Sequence, residues 1–503
     1  MSVKSLLARP FAAIIANRVL KASGKAVHAQ DIIFKKLIKA CSATAFGSEH
    51  GFARINSYEQ FVKQVPVREY EAFKPYIERV KQGEQNVLWK GKPLYFAKSS
   101  GPTSGVKYIP ITNDSIGNHI NTARNALLMY ISETGNAGFV NGKLIFLSGS
   151  PVLEKTGGIL TGRLSGIVNH HVPAYLKGNQ LPSYDTNCID DWEEKVDRIV
   201  EETWNQDMTL ISGIPPWVQM YFEKLLQKTG YKNIKEVFPN LSLLVYGGVN
   251  FEPYRAKLFS TIGEVIDSIE TFPASEGFFA FQSSQQEAGL LLNADSGIFF
   301  EFIPASEIDS TNPTRLRLQD VEAGVNYALV VSSNAGLWAY SVGDTIKFVS
   351  LDPYRLVVTG RTTHFISAFG EHVIGTEVEN ALMMAAATAK AEIVEFTVAP
   401  QVDPVAGELP YHEWFVEFSN APADVKAFSR EVDDGMRKKN IYYDDLITGN
   451  ILQPLKIRLM QKDAFRNYMK SVGKLGGQNK VPRLSNNRLL ADALQPWVMR
   501  QED

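Results

Sequence analysis

The sequence predicts an α/β protein with two domains: a large N-terminal α/β domain, in which helices pack on β-sheets, and a small α+β C-terminal domain. Two observations lead to this prediction. Short apolar runs of strand length, bounded by Gly, Pro and Ser, alternate with helical stretches along most of the chain. After Gly360 the order of elements changes, so we place the large domain at residues 1–360 and the small domain at residues 361–503.

The elements of the large domain follow from periodicity and from the residues that end each run. Apolar residues at helical spacing predict helices, and apolar runs flanked by turn residues predict buried strands. The predicted helices cover about Gln30–Ala45, Ser57–Lys81, Asp191–Thr203 and Pro216–Lys228, and the predicted strands cover Pro93–Ala97, Lys143–Leu147, Leu241–Tyr246, Glu264–Thr271, Ile298–Ile303 and Ala328–Ser332. This interleaving indicates a body with substantial sheet.

The small domain is predicted to follow the order αββαβα. Thr376 and Glu379 have the spacing of a capping box and open an Ala- and Met-rich helix that reaches about Lys390. The predicted elements after it are, in order, strands Glu392–Ala399 and His412–Phe418, helix Asn420–Lys439, strand Leu452–Leu459 and helix Asp463–Val472.

Composition and charge exclude several classes of protein. Lys and Arg number 52 against 54 Asp and Glu, and the net charge of −2 gives no reason to expect a nucleic acid or a membrane as partner. Hydrophobic residues at 45% and charged residues at 21% exclude disordered and fibrous chains. Cys41 and Cys188 form no CxxC motif, which argues against a disulfide framework and favours a cytoplasmic protein.

The first segment, Met1 to Lys21, alternates apolar residues with Lys4, Arg9, Arg18 and Lys21. Its uncharged runs are too short for a signal-peptide core or a membrane span. We therefore expect an amphipathic helix packed on the body, and a helix lying on a membrane surface is the alternative.

A loop rich in small hydroxylated residues is the most informative segment. Phe96–Pro110 reads FAKSSGPTSGVKYIP and follows a predicted strand. Small side chains and two glycines allow the backbone to wrap around an anion, while N–H and O–H groups donate to it and Lys107 supplies positive charge. The Walker sequence GxxxxGK[ST] is absent, and surface turns have a similar composition. These residues alone therefore leave a phosphate site and an ordinary loop as alternatives.

The spelling of the loop resembles the [ST]-S-G-T-T-G-x-P-K loop of adenylate-forming enzymes, the superfamily of acyl-CoA synthetases, luciferase and peptide-synthetase adenylation domains. The positions that match it without a gap are Ser99, Ser100, Gly101, Thr103 and Lys107, whereas Pro102, Ser104 and Val106 depart from it. Three further matches follow in the same chain order: Phe272–Gly277 with the aromatic-x-x-[ST]-E element, Tyr340–Asp344 with Y-R-x-G-D, and Gly360-Arg361, Phe369–Glu371 and Glu377–Glu379 with the hinge segment.

The overall pattern is most similar to one branch, the Gretchen Hagen (auxin-responsive) acyl-acid amido synthetases in the form seen in bacteria. Branch features occur at Thr44–Phe52, Asn86–Gly91, Tyr246–Gly248 and Gly473–Arg483, and the matches run from about residue 30 to residue 490. The resemblance implies an ATP- and Mg²⁺-dependent ligase. Such an enzyme adenylates a small carboxylic acid, releasing pyrophosphate, and then transfers the acyl group to an amino-acid amine, releasing AMP. This chemistry needs no protein nucleophile.

The resemblance also implies roles for the matched residues in binding ATP. Ser99, Ser100, Gly101, Thr103 and Lys107 would hold the β- and γ-phosphates. Glu276 would hold Mg²⁺, a role that suits a carboxylate beside phosphate oxygens, Ser275 would lie near the α-phosphate, and Asp344 would accept hydrogen bonds from the ribose hydroxyls.

For several positions a structural explanation competes with the functional one. On that explanation Glu276 would be an exposed loop carboxylate, and Asp344 would lie in a Gly-Asp hairpin turn. Phe272 would stack on adenine, or it is a core aromatic. Gly247 and Gly248 would allow close backbone approach to the adenine or the acyl group, or they belong to a simple turn. Arg361 at the hinge and Lys480 in the small domain are the catalytic candidates, since both would contact phosphate or ribose.

Three departures from the motifs keep other functions open. Pro102 removes one hydroxyl and one N–H, Phe272 replaces a frequent Tyr, and Ser341 replaces a common Arg. The alternatives are an acyl-CoA synthetase, which uses a thiol acceptor, and a nucleotide-binding protein that has lost catalysis. The sequence does not identify the acyl acid, the amino acid or the oligomeric state.

Overall fold

A computed structural model describes residues 3–101, 105–172, 177–189, 191–248, 251–308, 310–362, 365–371, 373–405, 407–472 and 481–499. The chain divides into two compact units. The larger unit comprises Met1–Ser99, Lys107–Asp190 and Glu194–Thr362, and the smaller unit comprises Ser100–Val106, Asp191–Glu193 and Thr363–Asp503.

Helices and strands are interleaved as far as Thr362. The helices are α1 (Val3–Ser23), α2 (Ala26–Cys41), α3 (Ala45–Glu49), α4 (Tyr58–Gln64), α5 (Tyr70–Lys81), α6 (Ile116–Thr134), α7 (Leu164–Asn169), α8 (Tyr184–Asn187), α9 (Trp192–Thr203), α10 (Pro215–Thr229), α11 (Ile234–Val237) and α12 (Glu252–Ile262). The strands are β1 (Tyr95–Gly101), β2 (Gly105–Ile111), β3 (Lys143–Phe146), β4 (Glu154–Thr156), β5 (Ile159–Arg163), β6 (Gln180–Leu181), β7 (Met208–Ser212), β8 (Leu243–Gly247), β9 (Asp267–Ala274), β10 (Gly277–Phe281), β11 (Leu290–Leu292), β12 (Ile298–Pro304), β13 (Leu316–Arg317), β14 (Asn326–Ser333), β15 (Tyr340–Leu351) and β16 (Tyr354–Arg361).

A 12-stranded mixed sheet forms the centre of the larger unit, in the order β13-β12-β14-β15-β16-β11-β10-β9-β8-β7-β3-β6. Strands β6, β3, β7, β8 and β9 pair in parallel, and the strands from β9 to β13 in this order pair antiparallel. A second, 4-stranded sheet has the order β2-β1-β5-β4. Most strand residues are buried, as expected where helices cover both faces of a sheet.

Three predictions for the large domain need correction. The predicted loop Phe96–Pro110 lies mostly in strands β1 and β2, because its apolar residues at both ends pack in the core. The predicted helix over Ser57–Lys81 is two helices, α4 and α5, because Pro66 disfavours helical backbone at Val65, which has φ −122° and ψ 89°. Helix α6 was not predicted, because polar residues such as Asn118, His119 and Thr122 occupy buried positions in its first turns and obscure the apolar period.

The smaller unit contains a 3-stranded sheet, a two-stranded ribbon and helices. Its strands are β17 (Phe365–Ile366), β18 (Val373–Ile374), β19 (Glu392–Gln401), β20 (Tyr411–Asn420) and β21 (Lys456–Leu459), and its helices are α13 (Gly375–Ala389), α14 (Val425–Lys439), α15 (Ile441–Thr448), α16 (Ala464–Ser471) and α17 (Leu489–Leu494). The ribbon pairs β17 with β18, and the 3-stranded sheet has the order β19-β20-β21. The predicted elements are all present in the predicted order.

Two predicted helix starts in the smaller unit differ from the structure. Thr376 lies inside the first turn of α13, which begins at Gly375, so it is not the residue that precedes the helix. Helix α14 begins at Val425, where the side chain of Asp424 accepts a hydrogen bond from Ala427 N, and the polar residues before it form a loop.

A buried polar pair stabilises the smaller unit. His412 Nε2 lies 2.8 Å from a carboxylate oxygen of Glu371, and both side chains are fully buried. The other oxygen of Glu371 accepts a hydrogen bond of 2.8 Å from Phe369 N. Because buried polar groups are costly when unpaired, this arrangement fixes the segment that contains Phe369 against β20.

Candidate active site

The hairpin between β9 and β10 presents Glu276. Ala274 pairs with Gly277 across the hairpin, which leaves Ser275 and Glu276 as a two-residue turn. The carboxylate belongs to a residue only 9% exposed. Glu276 is therefore held at a rigid position and is not the exposed loop carboxylate that its place in a turn would suggest.

The strands β15 and β16 bring Asp344 and Arg361 together. The two residues are directly opposite in the antiparallel register, and Arg361 Nε donates a hydrogen bond of 2.6 Å to an Asp344 carboxylate oxygen. Their side chains are 14% and 27% exposed, respectively, so the pair is only partly accessible to solvent. Gly343, next to Asp344, has φ +89°, a backbone conformation that favours glycine.

Strand β2 carries Lys107 to the same group of charges. Its ammonium lies 5.9 Å from the centre of the Tyr70 ring, and the neighbouring Tyr108 N donates a hydrogen bond of 2.9 Å to the Tyr70 hydroxyl. Lys107 interacts electrostatically with Glu276, Arg361 and Asp344. Four of the residues predicted from separate motifs therefore form one charged cluster, which we call the charge cluster: Lys107, Glu276, Asp344 and Arg361.

Burial dominates the electrostatics of the charge cluster. It raises the pKa of Glu276 above its usual range, although the Lys107 ammonium opposes this effect. Burial likewise lowers the pKa of Lys107, and the Glu276 carboxylate opposes that shift. For Arg361, burial lowers the pKa, but Asp344 and Glu276 outweigh it and the net pKa is raised. Glu276 and Lys107 are therefore costly to keep charged in the free protein, and this favours a ligand whose charges complement the cluster.

Tyr340 interacts with two members of the charge cluster, Glu276 and Arg361, and no role was predicted for it from the sequence. Its hydroxyl is buried, and no described residue lies in hydrogen-bonding geometry to it. Burial and the Glu276 carboxylate raise its pKa well above the usual value, so it stays a neutral phenol. Its backbone is held by pairing with Arg68, because Ser341 N donates to Arg68 O and Arg68 N donates to Ala339 O. The first position of the Y-R-x-G-D match was the available signal.

The other predicted ligand residues lie in varied environments. Phe272 is 8% exposed, packs edge-on against Phe279 with ring centres 5.2 Å apart and is part of the main core. Ser99 and Ser275 are half-buried, and Gly248 is exposed with φ +83°. Phe272 thus packs in the core against Phe279, and its stacking on adenine stays a prediction.

Several predicted residues fall partly or wholly outside the described part of the chain. Thr103 and Lys480 lie outside it, as does Pro102. Ser100 and Gly101 belong to β1 by their backbone, and nothing is described of their side chains. The roles of these residues remain predictions.

The described residues fit a metal only in combination with a phosphate ligand. They contain no group of three or more His, Cys, Asp and Glu side chains placed to hold a metal ion. The single buried carboxylate of Glu276 is consistent with Mg²⁺, which commonly binds one or two carboxylates together with phosphate oxygens and water.

Comparison with solved structures identifies the fold. The solved structure "AtGH3.15 acyl acid amido synthetase in complex with 2,4-DB" matches with a TM-score of 0.61 and 15% sequence identity, covering 96% of this chain and 96% of that chain. The chain therefore has the fold of an acyl acid amido synthetase, which confirms the predicted fold class.

The sequence comparisons identify the family. Models of the GH3 family match in three parts: the N-terminal domain at residues 15–183, the central domain at residues 291–361 and the C-terminal domain at residues 376–489. Together they span more than half of the sequence, and the chain belongs to the GH3 family. This confirms the resemblance to the Gretchen Hagen branch, whereas the bacterial form stays a prediction.

Two curated relatives show how distant the known members are. "Indole-3-acetic acid-amido synthetase GH3.3" from Arabidopsis thaliana is 22% identical, covering 90% of this chain and 88% of that protein. "Jasmonoyl--L-amino acid synthetase JAR4" from Nicotiana attenuata is 23% identical, and the match covers 63% of this chain and 66% of that protein, just under two thirds of its length.

Proposed function

We propose that this protein is an ATP-dependent ligase that joins a small carboxylic acid to an amino acid through an acyl-adenylate. One observation carries the proposal: in a chain of the GH3 family, the charge cluster unites residues from four separated motif matches, and their side chains are largely buried. The amide product is inferred from the two relatives, a jasmonoyl–L-amino acid synthetase and an indole-3-acetic acid-amido synthetase.

The charge cluster supplies what binding of a nucleoside triphosphate requires. Lys107 and Arg361 neutralise phosphate oxygens, and the low exposure of the cluster strengthens these interactions because little water screens them. Asp344 holds Arg361 through one carboxylate oxygen and has lone pairs available for the ribose hydroxyls. Ser99 and Ser275 are half-buried hydroxyl donors for the phosphate chain.

Mg²⁺, when bound with ATP, would be held by Glu276 and would supply further neutralisation of phosphate charge. The Glu276 carboxylate is buried beside Lys107 and Tyr340 and interacts electrostatically with both. Burial raises the pKa of Glu276, and the positive charge of Lys107 opposes that rise and so favours the ionised carboxylate.

The reaction proceeds in two half-reactions. In the first, a carboxylate oxygen of the acid attacks the α-phosphorus of ATP, the bond to the β-phosphate oxygen breaks, and pyrophosphate leaves. In the second, the amino-acid nitrogen attacks the activated carbonyl carbon, the bond to the AMP oxygen breaks, and the nitrogen loses a proton. The protein positions the reactants and stabilises charge, and Lys480 is the proposed further cation for the first half-reaction.

The test is pyrophosphate release from ATP and Mg²⁺ across a panel of carboxylic acids, with mixed amino acids, with coenzyme A and with neither acceptor. We expect release that depends on one class of acid and AMP turnover that amino acids stimulate. The variant Glu276→Gln, which keeps the side-chain shape and removes the charge, should lower release about 100-fold or more.

The matched control is Glu264→Gln, a half-exposed carboxylate paired with Lys235 in the same unit, and it should leave the rate unchanged. Stimulation by coenzyme A in place of amino acids would reject the amide product and support the thioester alternative. ATP binding without release for any acid would point to a nucleotide-binding protein without catalysis.

A further inference from the structure

The first helix, α1, has an inner face that packs on the protein. Ser5, Ala12 and Ala16 are at most 4% exposed, and Ala8, Ile15 and Val19 lie against the same apolar cluster, which includes residues of α6. Small side chains on this face allow the two helices to approach closely. The packing predicted from the sequence is thus present, but it accounts for only one side of the helix.

A second, exposed side of α1 carries a regular line of residues, which we call the outer stripe: Lys4, Leu7, Phe11, Ile14, Arg18 and Lys21. Successive members are three or four residues apart, so they share one face of the helix. Leu7, Phe11 and Ile14 are 65%, 48% and 66% exposed, and the three basic residues are also exposed. The stripe therefore has an apolar centre with cations at both ends.

The charge of α1 limits what the outer stripe can bind. The helix contains four basic residues, Lys4, Arg9, Arg18 and Lys21, and no acidic one. A second copy of the chain would bring like charges together in a symmetric contact, which is unfavourable. The occupant must therefore combine negative charge with hydrocarbon.

We infer that the outer stripe binds the surface of an anionic lipid membrane. Three apolar side chains offer far less than the roughly 800 Å² that each partner buries in a standard protein interface, whereas a lipid surface accepts such a helix without a complementary groove. Leu7, Phe11 and Ile14 enter the boundary between headgroups and acyl chains, and the cations remain at the headgroups. Within the described residues no helix has the length and apolarity of a membrane span, so the contact is a surface contact.

The test is flotation of the full chain with vesicles of phosphatidylcholine alone and of phosphatidylcholine with about one third phosphatidylglycerol, at about 0.15 M salt. We expect binding to the anionic vesicles at least tenfold stronger than to the neutral ones, and weakening as salt is raised. Equal binding to both vesicles, or none to either, would overturn the inference.

Two variants separate the contributions. Phe11→Glu with Ile14→Glu should weaken binding at least tenfold, since burial of each side chain is lost. Arg18→Glu with Lys21→Glu should also weaken it at least tenfold, because each cation near an anionic surface contributes about fivefold. Val265→Glu, at a loop residue that is 79% exposed, is the matched control and should bind like the natural chain. Circular dichroism checks that each variant is folded.

Sedimentation of the chain without vesicles tests the competing occupant. If the natural chain forms dimers that Phe11→Glu with Ile14→Glu abolishes, the stripe is a self-association surface and the inference is wrong. A monomer in both cases, together with the vesicle result, supports it. The ligase activity of these variants in detergent-free solution should be unchanged, because no member of the outer stripe belongs to the charge cluster.

Discussion

At the scale of single residues, the opposed pKa shifts of Glu276 and Lys107 determine how activity depends on pH. Glu276 acts as a carboxylate, and its pKa is raised. As the pH falls, activity is therefore lost at a higher pH than the pKa of an ordinary glutamate would give. Lys107 acts as a cation, and its pKa is lowered. As the pH rises, activity is therefore lost at a lower pH than the pKa of an ordinary lysine would give. Burial therefore narrows the active range from both sides.

Tyr340→Phe tests this account of the acid side. Tyr340 is a neutral phenol that interacts electrostatically with the Glu276 carboxylate, so its removal takes away a polar group that favours the ionised carboxylate. We expect the acid limb of kcat/KM for ATP to move to higher pH and the alkaline limb to stay. The measurement is the pH profile of pyrophosphate release, with Tyr221→Phe, a fully buried tyrosine hydrogen-bonded to Thr203, as control. An unchanged acid limb would contradict the coupling.

Single residues also show where the sequence is ambiguous. Lys107, Glu276 and Asp344 could be predicted as one site because they occupy matched positions, in the same chain order, in the motifs of the adenylate-forming enzymes that the sequence resembles. Phe272 is different, since an aromatic residue suits both a stacked ligand and a core. Gly247 was predicted to allow approach of a ligand, yet an added Cβ would lie 2.4 Å from Thr271 O, so the close neighbour is the adjacent strand.

At the scale of elements, helix α2 is joined to strand β12 by one buried side chain. Gln30 Nε2 donates to Ala294 O at 2.7 Å and to Ile298 O at 2.9 Å, and its Oε1 accepts from Phe300 N at 2.8 Å. Periodicity predicts the strand and the greater part of the helix from the sequence, but it does not reveal this link, because a glutamine at the start of a helix is usually a surface residue.

Gln30→Leu should therefore destabilise the chain although it adds an apolar residue to the interior. Three backbone groups would lose their partner in a buried place, and we expect a loss of about 3 kcal/mol in the free energy of unfolding. Urea unfolding followed by tryptophan fluorescence measures it. Lys35→Leu, at an exposed position of the same helix, should change stability by less than about 0.5 kcal/mol. Equal effects of the two variants would show that the hydrogen bonds to β12 contribute nothing.

At the scale of the whole molecule, the chain divides into two units, and the charge cluster lies entirely in the larger one. Lys107, Glu276, Asp344 and Arg361 all belong to the larger unit. The change in the order of elements after Gly360 was visible in the sequence, because a run of helices and strands of different order follows it. Two short segments before this point group with the smaller unit: Ser100–Val106 and Asp191–Glu193. This grouping was not predictable, since it depends on tertiary packing and leaves no periodic pattern in the sequence.

This division predicts that damage to the smaller unit leaves nucleotide binding intact. Glu371→Ala removes the partner of His412 and of Phe369 N in a fully buried place, which should cost about 3 kcal/mol of that unit's stability. ATP affinity, measured by calorimetry with Mg²⁺ present, should change less than about threefold, which corresponds to under about 1 kcal/mol. The reason is that the charge cluster lies in the larger unit. Glu379→Ala, whose side chain is 48% exposed, serves as the control for stability.

Adenylation should fall in Glu371→Ala even where ATP still binds, because Lys480, the proposed cation of the first half-reaction, belongs to the smaller unit. Loss of ATP binding in a folded Glu371→Ala protein would show instead that the charge cluster alone does not suffice to hold the nucleotide.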